Sequence, residues 1–297
     1  MRRYERWGYL FVSPWLLGFL AFTAFPIACS LYLSLCRWEL ISPNVTFVGM
    51  ANYRQIVAAD PQFWNALRAT VSYVAGAAPL VMFASLGVAL LLNLDIPGMR
   101  LFRTIFFLPA LLSGTAFCFL WLNVFDPQNG LLNSALAPIF NLLGIPLASL
   151  PKWIYSKDWA LFSMVLMSLW GIGPGMIVFL VGLRNIPVEL IEAALVDGAG
   201  CWRRFIHITF PMITPAVLFN LITGLIAGFQ VFLPAFVLTR GGPQDSTLFY
   251  ALYIWQVAFE QFRAGYASAL AWILFLVILL LTLVSFGLSR RWVYYES

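Results

Sequence analysis

The hydrophobic positions of this chain fall into long runs that are separated by shorter polar stretches. A helix needs about 20 mainly apolar residues to cross the ~30 Å hydrocarbon core of a bilayer. Six runs reach that length, at residues 8–35, 66–92, 101–125, 159–183, 212–238 and 267–288. The pattern predicts an all-α membrane protein with six transmembrane helices, organised as a single domain over residues 1–297, with both termini on the same side.

The composition supports a membrane location. Hydrophobic residues make up 62% of the chain and charged residues 10%, with a mean hydropathy of +0.88, whereas a soluble domain carries about 25% charged residues. Ten of the 17 Lys and Arg residues fall on the side of the N-terminus and seven on the longer opposite loops, which favours cytoplasmic termini. The arginines stand singly or in pairs at the ends of spans, so the net charge of +5 does not predict nucleic-acid binding.

The centres of the six runs carry no Asp, Glu, Lys or Arg. Proton- and sodium-driven carriers usually keep ionisable groups or broken-helix ion sites at mid-membrane. We therefore expect the energy for any uphill transport to enter outside this chain; a secondary carrier or channel for a small neutral solute is the alternative. With one histidine, His207, and scattered carboxylates, the sequence predicts no catalytic residues and no metal site.

Two of the runs contain signals that interrupt helices. Trp170–Gly175 in the fourth run combines three glycines with Pro174, which lacks a backbone N–H, so a kink or an unwound turn is expected there. Gly228, Gln230 and Pro234 make a weaker mark in the fifth run, where Asn220 and Gln230 are amides that are costly to bury. Irregular backbone at this depth lines a cavity or is buried in protein. The pattern favours a solute path along the third, fourth and fifth spans; glycines that only allow close helix packing are the other interpretation.

Residues 184–211 form a polar segment between the fourth and fifth runs, on the predicted cytoplasmic side. Asn185 is a candidate N-cap, Glu192 lies near the positive end of the helix dipole, and Gly198 is a natural C-terminal stop. A second helix is expected over about 199–209. Two short helices at an angle would present a knob to a soluble partner, and an amphipathic loop at the membrane interface also fits this pattern.

The same segment resembles the EAA loop of membrane subunits of binding-protein-dependent ABC importers. Glu192, Ala193, Ala194, Gly198, Ile208 and Pro211 stand at the spacing of that motif, with Phe210 where Leu is usual. Similarity to the carbohydrate-uptake branch, the maltose and glycerol-phosphate type permeases, extends over nearly the whole chain and includes Ser13–Leu16, Phe107–Pro109, Thr239–Pro243 and Gly265–Ala269.

This resemblance implies a type I importer permease fold in a bacterial or archaeal cytoplasmic (inner) membrane. The partners that it implies are a homologous second permease subunit, two ATP-binding subunits and an extracytoplasmic solute-binding protein. ATP and Mg²⁺ would be bound by the ATP-binding subunits, so no cofactor is expected in this chain. The cargo would be a sugar, an oligosaccharide or a related polyol or glycerol phosphate.

The resemblance also assigns residues to roles. The contact with the ATP-binding subunit falls on Glu192, Ala193, Ala194, Asp197 and Gly198. Positions that contact solute in the maltose permease correspond here to Ala110, Gly114, Gly171, Gly228, Gln230 and Val231, and the arguments from helix interruption and buried amides add Trp170 and Asn220. Several polar contacts of that permease are Gly, Ala or Val in this chain, which implies a cargo of different shape or one that the partner subunit mainly handles.

Overall fold

A computed structural model describes residues 2–94 and 96–294, with the backbone alone for residues 2–10 and Ala148. The described chain is mainly helical and has one antiparallel pair of short strands, β1 (Cys36–Arg37) and β2 (Thr46–Phe47). The helices are α1 (Arg2–Phe19), α2 (Phe25–Ser34), α3 (Ala51–Ala59), α4 (Pro61–Leu92), α5 (Met99–Phe107), α6 (Gly114–Val124), α7 (Leu131–Leu142), α8 (Lys157–Ser168), α9 (Gly173–Arg184), α10 (Val188–Val196), α11 (Cys201–Arg204), α12 (Phe210–Met212), α13 (Thr214–Phe229), α14 (Tyr250–Trp255) and α15 (Ala264–Ser289).

The predicted spans are present as three unbroken helices and three bent pairs. Phe11–Ser34, Pro61–Leu92 and Ala264–Ser289 are each long and apolar enough to cross a bilayer, and in the first of them the π-helical turn Leu20–Ala24 joins α1 to α2. The other three are Met99–Leu111 with α6, Lys157–Gly171 with α9, and Cys201–Met212 with α13, bent by 99°, 48° and 64°. Six spans result if each pair counts as one. The expectation that residues 101–125 form one continuous helix is wrong, because the backbone turns between Leu111 and Gly114.

The fifth run also differs from the predicted span over residues 212–238. Its helix α13 covers Thr214–Phe229 and ends where Gln230 caps it. The chain is helical again from Leu233, through the π-helical turn Ala235–Thr239. The interruption that the sequence indicated around Gly228 and Pro234 is therefore present, and it shortens the regular helix by more than two turns.

The chain packs as two units, one of residues up to 63 with 253–276 and one of residues 64–252 with 277 onward. In the first unit, the Asp60 carboxylate connects three helices. Its Oδ1 accepts the backbone N–H groups of Gln62 and Phe63 at 3.0 and 3.1 Å and so caps the start of α4. Its Oδ2 accepts the hydroxyls of Tyr253 and Tyr266 at 2.6 and 2.7 Å. Burial raises the pKa of Tyr253, and the hydrogen bond to Asp60 acts in the same direction, so this phenol remains a donor.

The second unit contains two apolar cores. One joins α4, α9 and α13 through fully buried side chains that include Met176, Phe179 and Ile213. The other surrounds α6, where the rings of Trp121 and Phe125 lie 4.8 Å apart. The first core lies beside the helix breaks and under the polar segment of residues 184–211. It therefore holds in place the helices of both the predicted solute path and the predicted contact with the ATP-binding subunit.

Candidate functional site

The polar segment contains the expected short helix, α10. The helix begins after Pro187, whose backbone (φ −57°, ψ 128°) serves as the N-cap. The prediction that Asn185 caps α10 is wrong, because Asn185 instead ends α9, with its N–H directed to the carbonyls of Val181 and Gly182 at 3.2 and 3.3 Å. Proline at this position suits a helix start, since the first N–H groups have no partner within the helix.

Gly198 terminates α10 as predicted, in the left-handed conformation at φ +74°. The N–H of Gly198 donates to the carbonyl of Leu195 at 3.0 Å, and the N–H of Ala199 donates to the carbonyl of Ala194 at 2.9 Å. These two bonds form a Schellman motif, which satisfies the last carbonyls of the helix. Only glycine adopts this φ without steric cost, so the sharp end of α10 depends on this residue.

The residues of the predicted contact lie on the outer side of α10. Glu192, Ala193, Asp197 and Gly198 are exposed, and Ala194 is half-buried. Between them Val196 is 89% exposed, which is unusual for an apolar side chain on a helix that has a core beneath it. The inner side is held by Ile191, which packs with Ile208 against the core of α4, α9 and α13. The helix is thus fixed on one side and presents mixed apolar and acidic groups on the other.

The second helix of the segment begins two residues and ends three residues later than the predicted range of about 199–209. It runs without a break from Cys201 to Met212 and turns into α13 at Ile213. Pro211 stands one residue before its end and closely follows the π-helical turn Phe205–Thr209, in which the regular i to i−4 hydrogen bonds are already replaced. His207 is exposed and its Nδ1 lies 3.0 Å from the carbonyl of Arg203 one turn earlier, as for an ordinary helix-surface residue.

The predicted break in the fourth run is stabilised by side chains from two other helices. The Ser85 hydroxyl of α4 donates to the carbonyl of Ile172 at 3.1 Å, and the Asn220 amide of α13 donates to the carbonyl of Gly175 at 3.3 Å. The carbonyl of Ile172 also accepts the N–H of Met176 at 2.9 Å, so the two side chains add hydrogen bonds that tie α4 and α13 to the first turn of α9. Asn220, which the sequence predicted as a path residue, thus makes a structural contact with the fourth span.

A cavity of about 370 Å³ lies beside this break and brings three of the predicted path residues together: Gly171, Asn220 and Gly228. Its polar lining comes from Ser85, Ser168, Asn220, Thr223 and Tyr73. A Cβ on Gly171 would meet no heavy atom within 4 Å, whereas a Cβ on Gly228 would lie 2.9 Å from Val74 Cγ2. Gly171 thus leaves open space, and Gly228 allows close packing of α13 on α4 as well.

The other predicted path residues are dispersed around this cavity. Val231 lines a neighbouring cavity of about 220 Å³, and Trp170 lines an apolar groove of about 450 Å³ beside α5. Gln230 is exposed at the end of α13, and Ala110 and Gly114 are exposed on either side of the break between α5 and α6. Tyr73 of α4 lines both of the first two cavities. The sequence did not indicate Tyr73, because it lies in a continuous apolar run, in which Pro79 does not interrupt the helix, and it matches no position that contacts solute in the maltose permease.

Comparison with known families shows which family this arrangement of broken spans and an exposed loop helix belongs to. Residues 82–293 match the family described as binding-protein-dependent transport system inner membrane component. The chain belongs to this family. The matched region contains α10, the helix breaks and most of the cavity lining, so the predicted membership and the type I permease fold are confirmed.

Relatives of this transport family match over nearly the full chain. A probable ABC transporter permease protein, YesP of Bacillus subtilis, is 39% identical over 98% of this chain and 92% of its own. The lactose transport system permease protein LacF of Rhizobium radiobacter is 33% identical, with 98% and 96% covered. Among solved structures, a chain of a bacterial alginate ABC transporter superposes with a TM-score of 0.82 at 21% identity, covering 97% of this chain and 96% of that one, which shows the fold. The chain is a multi-pass membrane permease subunit of an importer.

Proposed function

We propose that this chain is the membrane subunit of an ATP-driven importer for a sugar or an oligosaccharide, and that it forms the path together with a homologous permease subunit. The similar proteins include permeases named for lactose, for multiple sugars and for arabinooligosaccharides, which supports a carbohydrate cargo. Two ATP-binding subunits, which hold ATP and Mg²⁺, would face the cytoplasm with both termini of this chain. An extracytoplasmic binding protein would deliver the solute.

The observation that carries this proposal is the exposed helix α10. Its outer side combines Val196 and Leu195, which are 89% and 53% exposed, with the carboxylates of Glu192 and Asp197. A contiguous apolar surface that is rimmed by charge is typical of a protein contact site. This small convex helix fits a cleft on a water-soluble subunit, and the Schellman turn at Gly198 fixes the angle at which it projects.

Contacts lead from α10 to the cavity and give a route for mechanical coupling. Ile191 packs against the core that contains Phe179 and Leu183 of α9. The first turn of α9 carries the carbonyl of Gly175, to which Asn220 donates at the wall of the cavity. A displacement of α10 on ATP binding would therefore act on the broken fourth span through packed side chains, and so on the width of the path.

The break between α5 and α6 supports the proposal that a second permease subunit packs beside this chain. Leu112 and Ser113 have non-helical backbone, and Ser113, Gly114 and Thr115 are exposed. Irregular backbone with polar groups is not tolerated against lipid and requires protein or water beside it. A homologous partner packed near this break would provide both a protein cover and the other wall of the path.

Uptake by the reconstituted complex tests the proposal. We expect Glu192→Lys and Gly198→Leu each to abolish ATP-driven sugar uptake, because the first reverses a charge on the docking side and the second opposes the left-handed turn. Binding of sugar to the external receptor should be unchanged in both variants, which serves as the control. Full transport by both variants would contradict the docking role.

A further inference from the structure

The two cavities of the second unit share three lining residues. The larger, of about 370 Å³, and the smaller, of about 220 Å³, both include Tyr73, Ser168 and Gly171 in their walls. The larger continues along α4 and α13 past Asn220, and the smaller continues past Phe117 and Val231. The two spaces therefore adjoin at a boundary made of one large aromatic side chain, one hydroxyl and one glycine.

Tyr73 is the only large side chain at this boundary among the described lining residues, and its ring is held in place. It is 9% exposed, and its ring centroid lies 4.9 Å from that of Phe249 at an interplanar angle of 42°. Aromatic pairs at this distance and tilt are favourable contacts. The ring thus has a defined position, and it limits the opening between the two cavities.

The Tyr73 hydroxyl has unused hydrogen-bonding capacity. None of the described residues donates to it or accepts from it, although buried tyrosine hydroxyls usually have a partner. The described walls of both cavities contain no charged side chain, so recognition there depends on hydroxyl, amide and aromatic groups. A phenol that can both donate and accept suits a polyhydroxylated solute.

We propose that Tyr73 is a specificity-determining residue of the transport path, where its ring sets the width between the two cavities and its hydroxyl binds a hydroxyl of the passing sugar. This role rests on the proposed function. Gly171 forms the opposite feature of the boundary, because a Cβ there would meet no heavy atom within 4 Å. The boundary thus combines the bulky Tyr73 with Gly171, which has no side chain. Substitution of either residue should change the width of the opening between the two cavities.

Water accessibility tests the placement of Tyr73 without knowledge of the cargo. In the complete complex, with the four native cysteines replaced by alanine, we expect Tyr73→Cys to react with a membrane-impermeant trimethylammonium methanethiosulfonate, either without nucleotide or with ATP and vanadate. Phe83→Cys is the matched control on α4, since Phe83 is 66% exposed and lines neither cavity. It should stay unlabelled. No labelling at position 73 in either state, or equal labelling at both positions, would overturn the proposal.

Uptake kinetics test the recognition of the sugar. The probes are maltose with maltotriose and arabinobiose with arabinotriose, in proteoliposomes that contain the complete complex. For a sugar that the wild type imports, we expect Tyr73→Phe to raise KM about three- to tenfold, as the loss of one hydrogen bond implies. Tyr73→Ala should increase import of the trisaccharide relative to the disaccharide, and Gly171→Leu should decrease it.

The outcomes separate this inference from the proposed function. Unchanged KM in Tyr73→Phe together with an unchanged ratio of trisaccharide to disaccharide in Tyr73→Ala would overturn the role of Tyr73 while uptake by the wild type still supports the importer. Absence of wild-type uptake for all four sugars, with labelling at position 73, would count against the proposed cargo and support the path.

Discussion

Two glycines beside the end of α10 have different backbone requirements. Gly198 adopts φ +74°, whereas Gly200 has φ −67° and ψ 165°, which any residue can adopt. A Cβ at either position would meet no heavy atom within 4 Å. Conformation alone therefore distinguishes them, and the pair isolates the contribution of the left-handed turn from that of added bulk.

We expect Gly198→Ala to reduce ATP-driven uptake strongly and Gly200→Ala to leave it near the wild-type level. The left-handed conformation costs a residue with a Cβ about 1–2 kcal/mol, which favours a different exit from α10 and misaligns its docking side. Initial uptake rates in proteoliposomes, with the amount of inserted protein matched, measure the difference. Equal rates in the two variants would show that the turn geometry is not required.

At the scale of the elements, the sequence predicted some of the helix breaks and missed others. The break at Trp170–Gly175 was predicted because a proline and three glycines coincide there, and hydrogen bonds from Ser85 and Asn220 tie the adjoining turn to α4 and α13. Pro79 lies inside the continuous helix α4, so proline alone does not interrupt a span. A break depends on whether neighbouring helices can satisfy the freed carbonyls, and that is a tertiary property.

The break between α5 and α6 coincides with two local signals that the sequence argument did not use, Pro109 in the turn after α5 and Ser113, whose hydroxyl accepts the N–H of Ala116 at 3.4 Å and caps α6. A close approach of the fourth span to the end of α5 accompanies the break, since a Cβ on Gly173 would lie 2.9 Å from the carbonyl oxygen of Phe106 and 3.1 Å from Phe107 Cα. The sequence predicted α10 and its end at Gly198, because capping and turn preferences are local. It did not predict the cavity wall at Tyr73, because that wall arises only when α4 packs against two interrupted helices.

Gly173→Ala tests this close approach. We expect it to lower the thermal stability of the purified protein by about 1–3 kcal/mol, as overpacking against fixed backbone does. Gly87→Ala is the matched control, because Gly87 lies in α4 with open space around its Cα and alanine favours the helix. Thermal unfolding in detergent compares the two variants. A melting temperature of Gly173→Ala equal to that of the wild type would contradict the tight contact.

At the scale of the whole molecule, the permease lacks ionisable groups at the centres of its spans and carries an exposed helix on the predicted cytoplasmic side. These two features complement each other, because a path without charges of its own needs an external source of energy. The chain purified alone should therefore hydrolyse no ATP above background, as measured by phosphate release. Activity that copurifies with this chain through two further chromatographic steps would contradict this division of labour.

The central claim is that α10 docks on a separate ATP-binding subunit, and site-directed cross-linking tests it most directly. A photoactivatable maleimide is attached to Val196→Cys in a chain whose native cysteines are replaced, within membranes that contain the full complex. Phe22→Cys, at a position 85% exposed in the first span, is the control. The account predicts a cross-link from position 196 to the ATP-binding subunit and none from position 22. Cross-linking of position 196 to lipid alone, in a complex that transports normally, would contradict it.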